Sequence, residues 1–250
     1  MHPVLFNIGK ITIYTYGFLV LCGILLSLVY GLYTRKDLEK AQVIDLFFWI
    51  LLFGFLGARI LYILLNWPLF LVTPRSFILS RAGFVFYGGF IGGLFGGLLY
   101  VRRQNLSFAK VADWIAPLIV LGHAVARLGC FFRGCCYGIP SLAGPGVIFP
   151  PESSAYLYGY PRVPTQIISS FILVLIFIAL LVRRDHKHFD GEVFLSYIFM
   201  YSAFRFFMDF LRADTLPVVG FLTLFQWILL LVVFVDSFIW LCLFLKKCRT

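Results

Sequence analysis

The 250-residue sequence predicts an all-α fold, a polytopic membrane helical bundle with about seven transmembrane helices, and three observations predict it. Hydrophobic residues make up 62% of the chain, mean hydropathy is +0.97 and charged residues are 13%, against the roughly 25% usual in soluble domains. Seven stretches approach the roughly 20 apolar residues that a helix needs to cross a hydrocarbon core about 30 Å thick. The cations gather between alternate stretches.

The opening MHPVLFNIGKITIYTYGF has no basic region before its apolar run and no small-residue cleavage site. The first stretch, about 13 to 33, is therefore expected to be a retained span. The second, about 43 to 65, contains Arg59 after Gly54 and Gly57 and closes on Asn66 and Trp67; Arg59 is read as structural. In the third, about 83 to 101, Gly89, Gly93 and Gly97 fall on one helical face, as in tight membrane-helix seams. Tyr87 followed by Gly88 and Gly89 could also let a lipid approach a reactive hydroxyl. The fourth (about 111 to 132) and sixth (about 192 to 211) are interrupted by arginine, whereas the fifth (about 165 to 182) and seventh (about 219 to 245) are not. Asp45 and Asp113 sit near predicted interfaces, where carboxylates at helix amino termini are favourable.

Between the fourth and fifth stretches, residues 133 to 164 hold Gly134, Gly138, Pro140, Gly144, Pro145, Gly146, Pro150, Pro151, Gly159, Pro161 and Pro164, a density that breaks helix and favours turns. Irregular backbone beside a membrane must be buried in protein or meet water. This outer loop is expected to cap a lipid cavity, with Tyr156, Tyr158 and Tyr160 at the interface. No hydrophilic stretch is long enough to fold separately, so residues 1 to 250 are expected to form a single integral membrane domain.

The net charge of +10 does not point to nucleic acid, because the cations sort by loop. Arg35, Lys36, Lys40, Arg102, Arg103, Lys110, Arg183, Arg184, Lys187, Lys246, Lys247 and Arg249 occupy one set of alternating segments. The positive-inside rule puts that set in the cytoplasm, with the amino terminus outside and the carboxyl terminus cytoplasmic. Lys10, Arg75, Arg81, Arg133 and Arg162 remain on the opposite side.

Two groups stand out as chemistry. Arg127, in ARLGCFFRGCCYG, and Arg205, in SAFRFFMDFLRAD, lie inside strongly apolar stretches. A guanidinium taken to membrane depth costs several kcal/mol unless it faces a cavity and a partner. Its planar fork of donors matches a phosphate, so the pair suggests a membrane enzyme that grips a phospholipid. His123 lies four residues before Arg127 on the same face and is a candidate base, kept neutral by the adjacent cation. Arg205, Asp209 and Arg212 share a face of the sixth stretch, where Asp209 neutralises part of the charge and Asp214 can pair with Arg212. Cys130, Cys135 and Cys136 lack the paired histidine or second cysteine pair of a zinc site, so neither metal nor cofactor is expected; a disulfide from Cys130 to one of the pair, or buried thiols, is. No Walker loop, dinucleotide fingerprint, HExxH helix or GxSxG elbow occurs, which disfavours the soluble classes built on them.

At these residues the chain resembles the prolipoprotein diacylglyceryl transferase family, bacterial inner-membrane enzymes that start lipoprotein lipidation. The resemblance runs through Tyr16 with Gly17, GARILY (57 to 62), FYGGFIGG (86 to 93), ADWIAP (112 to 117), residues 126 to 138, VPTQ (163 to 166), GEVF with YSAFRFFMDFLR (191 to 212), and Gln226. The family signature, similar to G-R-x-G-N-F-x-N-x-E-x-x-G, reads here A-R-L-G-C-F-F-R-G-C-C-Y-G, so its arginine and final glycine match Arg127 and Gly138. The chain departs where the family's asparagines are Cys130 and Arg133, its glutamates Cys135 and Asp209, its H-G-G histidine Tyr87, and the Y-E after P-S-Q Ile167 and Ile168.

The resemblance implies transfer of a diacylglyceryl group from phosphatidylglycerol to the lipobox cysteine thiol of prolipoproteins, releasing glycerol phosphate. Its implied partners are phosphatidylglycerol, prolipoprotein signal peptides and membrane lipids, with no nucleic acid. Arg127 and Arg205 would hold the phosphate and stabilise the leaving group; the family's histidine base is not matched, and His123 and Tyr87 are this chain's candidates for a relocated base. Tyr16, Gly138, Asp209, Gly88 and Gly89 would line the substrate. Two rival classes remain: a lipid-binding or transport relative without chemistry, and a membrane thiol oxidoreductase using the cysteines.

Overall fold

The computed structural model describes residues 4–8, 11–35, 38–79, 83–141, 144, 146–157, 159–213, 218 and 220–248. Lys10, Lys36, Arg81, Pro145, Tyr158, Asp214 and Arg249, used above for charge, loop and pairing, lie outside them. Before the first helix, β1 (Val4–Ile8) and β2 (Ile11–Tyr14) form an antiparallel hairpin with a register shift between Val4 and Phe6. This short ribbon, favoured by β-branched residues at 4, 8, 11, 12 and 13, precedes a structure that is otherwise all helical, as the sequence predicts.

The rest is helical: α1 (Thr15–Thr34), α2 (Lys40–Leu65), α3 (Trp67–Val72), α4 (Pro74–Leu79), α5 (Phe86–Arg103), α6 (Phe108–Arg133), α7 (Thr165–Asp185), α8 (Glu192–Asp209) and α9 (Leu224–Cys248). Helices α1, α2, α6, α7 and α9 are long and apolar enough to cross a membrane, so the chain is a multi-pass membrane protein. Helices α5 and α8 fall on the two remaining predicted stretches but fall short of that measure. Six glycines and the terminal Arg102 and Arg103 dilute α5, and α8 carries Glu192, Arg205 and Asp209. Large apolar side chains such as Phe55, Phe171, Phe207 and Phe234 stand outward, as expected where lipid replaces water.

The chain divides into two compact units, Leu32–Val111 and, together, Met1–Gly31 with Ala112–Thr250. In the first, α2 and α5 pack backbone to backbone. A Cβ added at Gly88, Gly92 or Gly96 would lie 2.3 Å from Gly57 O, 2.1 Å from Phe53 O or 2.5 Å from Trp49 O. The predicted row of Gly89, Gly93 and Gly97 runs beside this one, with nearest atoms at 3.3 to 3.5 Å. The tight seam is thus one residue earlier than its spacing suggests. Arg59 is structural here, donating to Gly83 O at 3.1 Å and to Phe77 O and stacking on Phe84.

In the larger unit, Gly23, Ser27 and Gly31 give α1 a row of small residues against α6, where Ser27 Oγ donates to Leu118 O at 2.8 Å. The core joins Val120 and Ala124 of α6, Leu173, Ile176 and Leu180 of α7, and Val193 of α8. Asp113 serves a helix other than its own. Its carboxylate accepts from Gly191 N at 2.9 Å and Phe194 N at 3.1 Å, capping α8, and from Lys187 Nζ at 3.0 Å.

Candidate functional site

On α6, His123 and Arg127 face the same way, and Arg127 Nε donates to His123 Nε2 at 3.1 Å. With Nε2 accepting, a neutral imidazole carries its proton on Nδ1, so the ring's one lone pair is already used. The His123 ring packs 5.5 Å from that of Tyr201 on α8. One turn further along α8, Arg205 Nη1 approaches Asp209 Oδ1 at 2.8 Å as an ion pair, with its guanidinium 5.2 Å from the Phe225 ring centre. Arg127, Arg205 and Arg212 lie within electrostatic reach of one another or of His123. The structure therefore brings the sequence-predicted His123, Arg127, Arg205 and Asp209 to facing surfaces of α6 and α8. Asp209 is fixed from its far side by Thr223 Oγ1, which donates to Oδ2 at 2.8 Å.

Thr223 and Gln226 form a reciprocal box at the start of α9. Thr223 N donates to Gln226 Oε1 at 2.8 Å, and Gln226 N to Thr223 Oγ1 at 3.1 Å. Gln226 Nε2 also donates to Phe206 O at 3.2 Å, which locks α9 to the arginine-bearing end of α8. The T-x-x-Q spacing is a readable helix-start pattern; its link to Asp209 is not.

Tyr16 begins α1 beside the end of α6. Arg133 stacks on its ring at 5.3 Å, and a Cβ at Gly129 would meet Tyr16 at 3.3 Å, so the missing side chain allows the approach. Gly138 is held by an antiparallel bridge to Arg212, and a Cβ there would lie 2.6 Å from Val163 O and 2.9 Å from Leu211 O. Ile139 N donates to Leu211 O at 2.9 Å and Ala213 N to Tyr137 O at 3.2 Å, tying the outer loop to the end of α8. Arg162, not singled out by its sequence, is buried in that loop. It donates to Ala155 O at 2.7 Å and Gly138 O at 3.1 Å and stacks on Tyr137 at 4.5 Å.

Tyr87, Gly88 and Gly89 belong to the Leu32–Val111 unit, on the first turn of α5. The Tyr87 side chain is exposed, whereas Gly88 is pressed against Gly57. Cys130, Cys135 and Cys136 are free thiols, half-buried, with sulfur atoms all within 4.8 Å of one another. Hydrogen bonding with Cys130 and Cys135 pulls the Cys136 thiol below its usual range, assisted by Arg212 and Arg127; the same sharing pushes Cys135 up. Elsewhere in the larger unit, Arg183, Ser196, Met200, Asp236 and Trp240 help line a cavity of about 480 Å³.

The profile of the prolipoprotein diacylglyceryl transferase family matches residues 3–242, nearly the whole chain. The chain belongs to the prolipoprotein diacylglyceryl transferase family. It is 34% identical over 233 residues to phosphatidylglycerol–prolipoprotein diacylglyceryl transferase 2 of Clostridium perfringens, covering 91% of this chain and 90% of that one. The enzyme of the same name without the number from Staphylococcus carnosus is 33% identical, covering 86% and 81%, and that of Clostridium tetani 31%, covering 96% of each. Family membership thus extends over both units and the outer loop, including the arginine-bearing faces of α6 and α8.

Proposed function

We propose that this family member transfers the diacylglyceryl group of phosphatidylglycerol to the cysteine thiol of prolipoproteins. The observation that carries the reading is that Arg127 and Arg205, on two helices joined by the His123–Tyr201 contact, lie within electrostatic reach of each other and of His123. Arg127 is hydrogen-bonded to a neutral ring and keeps its full charge for an anion. Arg205 is half-neutralised by Asp209, which holds its fork in place. Two guanidinium groups so placed bind a phosphodiester and stabilise the second negative charge that develops as glycerol phosphate leaves, worth a few kcal/mol per well-placed donor. Tyr16 orients the lipid, and Gly138 with Arg212 forms the wall next to it. The outer loop, tied to α8, caps the lipid cavity.

Both units serve one membrane domain of seven spans, with α5 and α8 crossing as well as the five apolar helices. The amino terminus is outside and the carboxyl terminus cytoplasmic, in the bacterial cytoplasmic membrane. The experiment is direct: purified protein is incubated with phosphatidylglycerol and a lipobox peptide. The expected products are glycerol phosphate and a peptide heavier by one diacylglyceryl group. Lipid binding without either product would assign the chain to the binding class instead.

A further inference from the structure

A thiol must become a thiolate before it can attack carbon, and His123 offers no spare lone pair while Nε2 accepts from Arg127. Beside Arg127 lies a set of side chains that phosphate binding does not use. The sulfurs of Cys130, Cys135 and Cys136 are all within 4.8 Å of one another, free and half-buried.

Their arrangement is built rather than incidental. Cys130 sits in the last turns of α6, and Cys135 N donates back to Cys130 O at 3.1 Å. Gly134 (φ 71) and Cys136 (φ 57) both take the left-handed conformation, which folds the turn so that the three thiols converge. The turn is clamped from α7. Gln166 Nε2 donates to Cys135 O at 2.8 Å and Thr165 Oγ1 to Cys136 O at 2.7 Å, both from buried side chains. Thiolates around a zinc ion at the usual Zn–S length of about 2.3 Å stand roughly 4 Å apart, so the group needs only slight closure. Arg212 and Arg127 are within electrostatic reach of Cys136, and the single excess negative charge of three thiolates on a divalent ion is offset by Arg212 alone, which leaves Arg127 for the phosphate. Among the described residues no other histidine, cysteine or carboxylate joins the group. Three protein ligands leave one tetrahedral position open, as catalytic rather than structural zinc sites do.

We propose that Cys130, Cys135 and Cys136 hold a zinc ion whose open position takes the acceptor's cysteine and presents it to the lipid as a thiolate. The inference rests on the transferase reading above, and it departs from the expectation that these cysteines hold no metal and form a disulfide or stay as buried thiols. Coordination by zinc deprotonates a thiol near neutral pH, the proton passing to water. The sulfur lone pair then forms a bond to the glycerol carbon of the diacylglyceryl group while the bond from that carbon to the phosphate oxygen breaks. The electron pair stays on that oxygen, so the phosphodiester monoanion departs as glycerol phosphate dianion against Arg127 and Arg205. No oxidant or reductant is needed.

The test uses the intact protein in detergent, purified under reducing conditions, stripped with a chelator and reloaded. Added Co²⁺ is expected to give a thiolate-to-cobalt charge-transfer band that Zn²⁺ displaces, with about one ion per chain by equilibrium dialysis. Cys130→Ser and Cys136→Ser should abolish both signals and Cys22→Ser neither, with thermal melts confirming that each variant folds. Cys136→His, which retains a zinc ligand, should keep the ion. Absence of the band, its survival in the serine variants, or a disulfide from Cys130 to Cys135 or Cys136 by non-reducing mass spectrometry overturns the site. Product formation should fall on the order of tenfold or more on stripping and return with Zn²⁺. Activity indifferent to stripping overturns the thiol's activation and leaves the transferase reading intact. Ion binding with no product under any condition refutes the transferase reading and leaves the ion site standing.

Discussion

Arg127 and Arg205 are accommodated differently, and the difference decides what each does. Arg127 has a neutral hydrogen-bond acceptor and so remains a net cation, whereas Arg205 shares its charge with Asp209. Replacing Arg127 by alanine should lower kcat about 100-fold, the effect of losing one donor to developing charge, measured by glycerol phosphate release. The role of His123 is tested by two substitutions. If its ring positions Arg127, His123→Gln keeps an acceptor and most activity while His123→Phe loses it; equal loss in both marks a base. In Asp209→Asn the half-buried Arg205 lacks its counter-charge, which should cost about 3 kcal/mol in thermal or denaturant unfolding. Phosphatidylglycerol vesicles should restore more stability to that variant than to the native protein, because the lipid phosphate supplies the missing charge. That His123 and Arg127 share a face is legible in a four-residue spacing. That the two side chains meet, with Arg127 Nε reaching His123 Nε2, depends on rotamers that spacing does not encode.

Among the elements, the α2–α5 pair shows how close backbones specify residues. Gly92→Ala would force a Cβ onto Phe53 O, where the gap is 2.1 Å, and should destabilise by about 1–3 kcal/mol. Gly97→Ala, whose nearest atom is Ile50 Cγ1 at 3.3 Å, should be much milder, and the difference in melting temperature between the two variants checks the seam. The sequence carries two parallel rows of glycine, so periodicity reveals a seam without choosing the row. The choice falls to the rotation of α5 against α2. Likewise the carboxylate of Asp113 reads as an interfacial residue of its own helix. Only the packing of α6 against the α7–α8 turn lets it cap α8.

For the molecule as a whole, that turn also sets a pH dependence outside the membrane-spanning helices. Burial disfavours the Lys187 ammonium, but hydrogen bonds to Asp190 and Asp113 outweigh it and hold the group above the ordinary lysine range. A raised lysine stabilises fully below its unfolded value of about 10.4 and loses that contribution as pH climbs through the folded value. Melting temperature should accordingly drop above about pH 10, and Lys187→Met should remove that dependence at a cost near 1–2 kcal/mol at neutral pH. The sequence by itself determined the solvent, the positions of the long helices and the types of charged group that lipid cannot hold unpaired. These follow from composition and from periods along one chain segment. The tertiary structure alone decided that residues 4–8 pair with residues 11–14, that Arg127 donates to His123, and that three thiols meet. The thiol group depends on two left-handed turns and on clamps from α7 about 30 residues away, and no local pattern reports a contact whose partners are brought together only by helix packing.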